Sequence, residues 1–276
     1  MLPSLLMMSA LVLTPAQTDG GLRLSNVRNT FGELGGTRPE GKLIPGDILF
    51  VGFDIEGIAV DAEGNVDYTM AMEVLDRNGK PIFKQDPATK KDFLPLGGNK
   101  LPARAFVTIG LDQQPGEYTL RLTVTDNGSA AKPSQVLTRR FEVTPPTFGI
   151  VAVHTSVNEQ GNIPAPTTGT VGQSVFVQLG VVGFERAKDP KDPKKPAQPD
   201  VVLEMTPLDE RGQPTIQKSQ PIRVNAGVDE KDGGFTIRFL LPMTRVGKYT
   251  IRLKATDNHS KKTATYDLPI SVMPTD

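Results

Sequence analysis

The stretch GEYTLRLTVTDN at residues 116–127 recurs almost unchanged as GKYTIRLKATDN at residues 247–258. In both copies apolar and polar residues alternate along the chain. Successive side chains of a β-strand point to opposite faces, so this alternation predicts a strand that buries one face in a core. A helix would instead place Leu120 and Leu122 on different faces. The stretch therefore predicts one half-buried β-strand in each half of the protein.

Two further blocks repeat in the same order. GDILFVGFDIEGI (46–58) matches GQSVFVQLGVVGF (172–184), and LDRNGKP (75–81) matches LDERGQP (208–214). The spacing between copies changes from block to block, as loop insertions between fixed strands would produce. The repeated blocks therefore indicate that the chain contains two copies of one module.

The remaining sequence favours an all-β fold. Each half contains about seven short apolar runs with turn signals every 8–12 residues, a pattern typical of a β-sandwich. We predict two tandem Ig-like antiparallel β-sandwich domains at residues 21–146 and 147–274. The paired prolines Pro145 and Pro146 lie at the joint, and their stiffness predicts restricted bending between the domains.

The first residues predict export. An apolar run from Leu5 to Leu13 is shorter than the roughly 20 residues that a membrane-spanning helix needs. Small residues follow it up to Ala16, so we interpret residues 1–16 as a secretory signal peptide. A buried N-terminal strand or helix is the alternative. On the export interpretation, the mature chain is periplasmic or extracellular and carries no integral membrane segment.

Charge and composition exclude several classes of function. The chain has 31 basic and 31 acidic residues, so no electrostatic argument favours nucleic acid as a partner. It has no cysteine, which excludes disulfides, thiolate catalysis and cysteine metal sites. The two histidines, His154 and His259, do not lie in an HExxH or GxSxG context. We therefore expect no enzyme activity and no cofactor.

The repeated stretch carries a family resemblance. Gly116 and Tyr118, like Gly247 and Tyr249, resemble the G-x-Y start of strand F in immunoglobulin-like modules. Without cysteine or tryptophan, the chain is similar to disulfide-free bacterial Ig-like or fibronectin-III-like modules. The resemblance implies a structural corner, in which the tyrosine hydroxyl bonds to upstream backbone and the ring packs in the core.

A second resemblance covers the start of the first half. LSNVRNTFGELGG (24–36), followed by LIPGDILFVGFDIEGI (43–58), resembles secreted proteins of planctomycete-type bacteria. This resemblance implies that the protein is exported from the cytoplasm, and it implies no particular activity.

One turn offers a candidate metal site. Asp61, Glu63, Asn65 and Asp67 place oxygen atoms at alternate positions, like the opening of a calcium loop. The twelfth position of that register is Met72 rather than a bidentate acid, so a solvated turn is the favoured interpretation.

The turns that follow the repeated strands are alternative calcium positions. Asp126-Asn127 and Asp257-Asn258 both offer side-chain oxygens near a module end. Asp and Asn also fit such turns without a metal, because their side chains bond to nearby backbone amides.

The segment ERAKDPKDPKKPAQPD (185–200) occurs in the second half only. Its composition predicts a solvated, partly extended loop. Rigid sandwiches commonly bind through loops, so the segment is also a candidate interaction loop. Its candidate contacts are four lysines: Lys188, Lys191, Lys194 and Lys195.

These observations favour an exported, non-enzymatic binding or structural module of the cell envelope or exterior. Its expected partner is an envelope or extracellular protein that the sequence does not identify. One alternative is a protease inhibitor or chaperone-like protein that captures extended chains on its edge strands. Another is an accessory domain or weak hydrolase that would depend on His154 or His259.

Overall fold

The computed structural model of the protein describes residues 21–39, 41–188 and 194–275. These residues fold into β-strands joined by turns and loops, which confirms the predicted all-β class. The predicted signal peptide, residues 1–16, lies outside the described residues. Within the described ranges, no helix is long and apolar enough to cross a membrane.

The first half forms two antiparallel sheets. The strands described in this half are β1 (Arg23–Asn29), β2 (Ile48–Glu56), β3 (Asn65–Leu75), β4 (Pro81–Phe93), β5 (Lys100–Thr108), β6 (Gly116–Asp126) and β7 (Ser134–Val143). One sheet has the strand order β1-β2-β5, and the other has the order β4-β3-β6-β7.

The second half repeats this pairing scheme with one addition. The strands described in this half are β8 (Gly149–Ser156), β9 (Thr168–Thr170), β10 (Ser174–Val182), β11 (Val201–Leu208), β12 (Ile222–Val224), β13 (Gly234–Pro242), β14 (Gly247–Asp257) and β15 (Thr263–Met273). Its sheets have the orders β13-β10-β8 and β12-β11-β14-β15-β9, and the short strand β9 pairs in parallel with β15.

The repeated stretches are the central strands β6 and β14. In β6, Leu120 and Leu122 are fully buried, and in β14 Leu253 is fully buried. Each such side chain contributes about 1.5–3 kcal/mol through removal of its apolar surface from water. The intervening arginines, Arg121 and Arg252, are exposed, as the alternation of a half-buried strand requires.

The buried apolar residues form two clusters, one in each half. Phe31 belongs to the second cluster although it precedes β2 in the chain. The segment between β1 and β2 therefore reaches across to the second sandwich. The domain limits at 21–146 and 147–274 stay a prediction.

Polar contacts reinforce this connection between the two halves. The carboxylate of Asp47 accepts a hydrogen bond from the backbone amide of Ala152 at 2.9 Å. Its second oxygen forms an ion pair with Arg38 at 2.9 Å, and Asp47 is 4% exposed. The guanidinium of Arg38 also lies 5.5 Å from the ring centroid of Tyr266. The joint thus contains a buried charge pair in addition to apolar packing.

Candidate functional site

A cleft of about 900 Å³ opens in the first sandwich between its edge strands β4 and β5. Ligand pockets in proteins commonly measure about 300–1,000 Å³ and combine apolar walls with a few polar groups. The apolar walls of this cleft include Met70, Met72, Val74, Ala103, Ala105 and Val107.

The cleft exists because β5 carries small side chains on its inner face. Strands β2 and β10 align in sequence and are both the central strand of a three-stranded sheet, so their pairing partners β5 and β13 can be compared by register. Ala105 in β5 occupies the position that Phe239 occupies in β13. Ala103 likewise corresponds to Ile237. In the second sandwich these larger residues pack against the core, whereas in the first the same volume is left open.

The opposite wall is the long edge strand β4. It has 13 residues, nearly all exposed, whereas β12 at the edge of the corresponding sheet has three. Gln85 and Lys90 lie opposite Met72 and Tyr68 in the sheet, so they share its inner face. Phe83 lies opposite buried Val74 on the same face and also lines the cleft. The inner face of β4 is therefore accessible and carries both polar and apolar side chains, and the first sandwich stays open along this side.

Two polar pairs border the cleft. The hydroxyl of Tyr68 donates to the Asp92 carboxylate at 2.9 Å. Burial raises the pKa of Tyr68, and the neighbouring Asp92 raises it further, so the phenol stays a protonated donor. Arg104 donates to the carboxylate of Glu33 at 2.8 Å. Each pair is bonded internally, so the cleft combines these paired polar groups with its apolar walls.

The residues of the predicted first corner lie at the far end of the same cleft. The hydroxyl of Tyr118 donates to the carbonyl of Gln114 at 2.6 Å and accepts from the side chain of Gln113 at 2.7 Å. Its ring stacks on Phe141 with centroids 5.6 Å apart. Tyr118 thus fixes the turn that leads into β6.

The second corner has a similar bond, shifted by one residue, in a more open setting. The hydroxyl of Tyr249 donates to the carbonyl of Val246 at 3.1 Å, and Arg245 donates to that hydroxyl at 3.0 Å. The glycines that open the two strands, Gly116 and Gly247, have φ values of 152° and 148°. Those positive values favour glycine over residues with a Cβ atom.

The aspartates that end the repeated strands connect the two sheets of each sandwich. Asp126 accepts a hydrogen bond from the amide of Ala59 at 2.8 Å, and Asp257 accepts one from the amide of Glu185 at 2.9 Å. Ala59 and Glu185 follow β2 and β10, which lie in the opposite sheets. Each carboxylate is buried and also accepts from amides of its own turn. These contacts give both aspartates a role within the fold.

The calcium candidates are also engaged by protein groups. Asp61 accepts hydrogen bonds from the amides of Glu63 and Asn65, and the Asn65 side chain and these amides lower its pKa. Asp67 accepts from the side chain of Asn127 at 2.8 Å. Within the described ranges, no group of three or more acidic or histidine side chains could hold a metal ion.

The base of the candidate interaction loop is anchored to the second sandwich. Arg186 donates to the carbonyls of Val228 at 3.2 Å and Asp229 at 2.7 Å. Ala187 and Gln198 then pair as a β-bridge. The candidate lysines Lys188, Lys194 and Lys195 are exposed, and Lys191 lies outside the described residues. An interaction role for this loop stays a prediction.

The histidines lie outside the cleft. The ring of His154 lies between the two sandwiches, with Nδ1 2.8 Å from the carbonyl of Ala152 and the ring centroid 6.3 Å from that of Phe50. The amide of His259 donates to Asp257 in the turn after β14.

The alanines of β5 were not among the residues expected from sequence. The signal that could have found them is an alignment of LPARAFV (101–107) with FTIRFLL (235–241), which matches Arg104 with Arg238. That alignment shows Ala at two inward positions where the other copy has Ile and Phe.

Comparison with known proteins shows only distant likeness. No protein-family model and no curated protein matches the chain. One similar structure is the C-terminal domain of the AgI/II polypeptide BspA of Streptococcus agalactiae, with 10% identity, coverage of 90% of this chain and 100% of that chain, and a TM-score of 0.29. Another is the C-terminal domain of the antigen I/II-family protein AspA of Streptococcus pyogenes, with 11% identity, coverage of 91% and 99%, and a TM-score of 0.29. At this level neither neighbour bears on function, and no comparison supports the planctomycete-type resemblance.

Proposed function

We propose that this protein is an exported, non-enzymatic binding module whose ligand site is the cleft between β4 and β5. The observation that carries the proposal is the presence of Ala103 and Ala105 where the second sandwich has Ile237 and Phe239. A fold that can fill this space in one copy leaves it open in the other. An open cleft that combines apolar walls with convergent polar groups is a common form of ligand site.

The rest of the chain supports this role. The apolar run from Leu5 to Leu13 favours export, so the expected partner is an envelope or extracellular protein. The polar groups bordering the cleft include the hydrogen-bonded pair Tyr68–Asp92 and the ion pair Arg104–Glu33. Because the members of each pair are bonded to each other, they are better suited to shape the cleft and orient a ligand than to transfer a proton.

The proposal can be tested with an apolar dye as the probe. The double variant A103I/A105F copies the second sandwich and should fill the cleft. Titration with 1-anilinonaphthalene-8-sulfonate should show a saturable site in the native protein that this variant weakens at least about tenfold. The control T236I adds apolar bulk to the outer face of β13 and should leave dye binding unchanged. Equal binding by the native protein and A103I/A105F, with near-UV circular dichroism preserved in both, would contradict the proposal.

A further inference from the structure

The hydrogen bonds at the two ends of β5 show which of its residues face β2. At one end, the amide of Ile109 donates to the carbonyl of Asp47 at 2.9 Å. At the other, the amide of Gly57 donates to the carbonyl of Asn99 at 3.0 Å. The register between β2 and β5 has no shift, and antiparallel pairs alternate between bonded and non-bonded. The odd-numbered residues of β5 therefore bond to β2, and the even-numbered ones direct their N–H and C=O groups away.

The even-numbered residues of β5 are outward positions, meaning that their backbone N–H and C=O groups point away from β2 and are open to another strand. They include Arg104, Phe106 and Thr108, and no strand of the described ranges pairs with this edge. Pro102 also lies on an outward position, where its missing N–H costs no bond to β2. Every residue from Leu101 to Ile109 lines the cleft, on both faces of the strand. The cleft therefore runs along the free edge of β5.

We infer that the cleft takes an extended peptide segment of another protein, which adds to β5 as a further strand. Alternate apolar side chains of the peptide enter the space beside Ala103 and Ala105. The inference rests on the proposed binding function and specifies its ligand. Unpaired backbone donors and acceptors are complementary to an extended chain, and the pockets beside them select alternate side chains.

The free edge also sets the length of the segment. The distance from Arg104 to Thr108 is about 13 Å at the rise of a β-strand, and these five residues pair with about five peptide residues. Met70 and Met72 form part of the facing wall. Their flexible side chains adapt to different apolar partners, so we expect tolerance among valine, isoleucine and leucine at the inward positions.

Charge adds a preference at the mouth of the cleft. Lys90 is exposed on the inner face of β4, lines the cleft and has no ion-pair partner among the described residues. An acidic side chain of the peptide can pair with it. Lys91 follows directly but lies opposite Asp67 on the other face of the same sheet, so it provides a matched control.

The test uses synthetic nine-residue peptides labelled with fluorescein, with valine at alternate positions, threonine between them and one glutamate. Fluorescence anisotropy measures their binding to the full chain. Two further versions carry N-methyl groups on either the odd or the even amides. Strand addition uses one set of amides only, so one version should lose at least about tenfold in affinity while the other keeps it.

Protein variants separate backbone from side-chain contributions. Both F106P and F106A remove the phenylalanine side chain. F106P also removes the backbone N–H that points away from β2, whereas F106A keeps that N–H. F106P should bind the peptide at least about tenfold more weakly than F106A. K90E should weaken binding of the glutamate peptide more than K91E does.

Each remaining outcome has a distinct meaning. Equal affinity of both N-methylated versions, or of F106P and F106A, would overturn strand addition and leave the cleft as the site. Dye binding in the cleft without binding of any alternating peptide would overturn the peptide inference in favour of a small apolar ligand. Absence of both would overturn the proposed function itself.

Discussion

Replacing Asp257 with alanine should destabilise the second sandwich although it removes no apolar contact. Asp257 is fully buried and accepts hydrogen bonds from the amide of Glu185 at 2.9 Å and the amide of His259 at 3.0 Å. It also accepts one from the hydroxyl of Ser260 at 2.6 Å. The hydroxyl can turn to water, but the two amides lose a charged acceptor. At about 1.5 kcal/mol for each, the expected loss is about 3 kcal/mol of the free energy of unfolding.

Urea unfolding followed by circular dichroism measures this loss. The matched control is D267A, which breaks the ion pair of Asp267 with Arg252. Asp267 has a side chain that is 44% exposed, so its loss should cost less than about 1 kcal/mol. D257N keeps one acceptor oxygen and should lie between the two. A D257A cost no larger than that of D267A would refute the role of this carboxylate in connecting the sheets.

The same residue predicts a dependence on pH. Burial on its own raises the pKa of Asp257, but the hydrogen bonds from the Glu185 amide, Ser260 and His259 outweigh it and lower the pKa below the ordinary value of 3.8. A lowered pKa in the folded state gives stability that is present above the unfolded pKa and is lost as pH falls through the folded pKa. The difference in unfolding free energy between native protein and D257A should therefore be constant above about pH 5 and shrink below about pH 4. A difference that grows on acidification would contradict this sign.

Three further changes test other parts of the fold. Y118F should cost about 1 kcal/mol in urea unfolding through loss of the corner hydrogen bond, and the more exposed Tyr249 should cost less when changed in the same way; the reverse order would be wrong for this account. D47A leaves the partly buried Arg38 without its partner, so it should lower the free energy of unfolding by about 3–5 kcal/mol. It should also separate the calorimetric transitions of the two sandwiches. A single unshifted transition would argue against coupling through this pair. Calcium and a chelator should leave the melting temperature unchanged, because the carboxylates of Asp61 and Asp67 already accept hydrogen bonds within the protein. A calcium-dependent shift would restore the metal interpretation.

The sequence predicted the strands well where both periodicity and repetition were strong. Leu120 and Leu122 alternate with polar residues, and the structure buries them in the middle of a sheet. The aspartates of the repeated stretch were expected in turns, and their turn amides are indeed bonded. Their bonds to Ala59 and Glu185 were not foreseen, because those partners come from the opposite sheet.

The candidate site was harder to predict, because it depends on the absence of large side chains at two positions of β5. Ala103 and Ala105 lie in an edge strand with a proline, and such a segment has weak strand character. Its significance emerges only when the register of β5 is compared with that of β13. The connection through Asp47 was hidden for a similar reason, since its partner amide at Ala152 lies 105 residues away.

Amide hydrogen exchange with and without a saturating alternating peptide measures whether the peptide pairs with the free edge of β5. The outward amides of Phe106 and Thr108 have no strand partner among the described residues, so they should exchange quickly in the free protein. Bound peptide should slow exchange at these two amides and leave the corresponding positions of β13, such as Leu240, unchanged. Protection confined to the second sandwich, or peptide binding without protection along β5, would contradict this pairing.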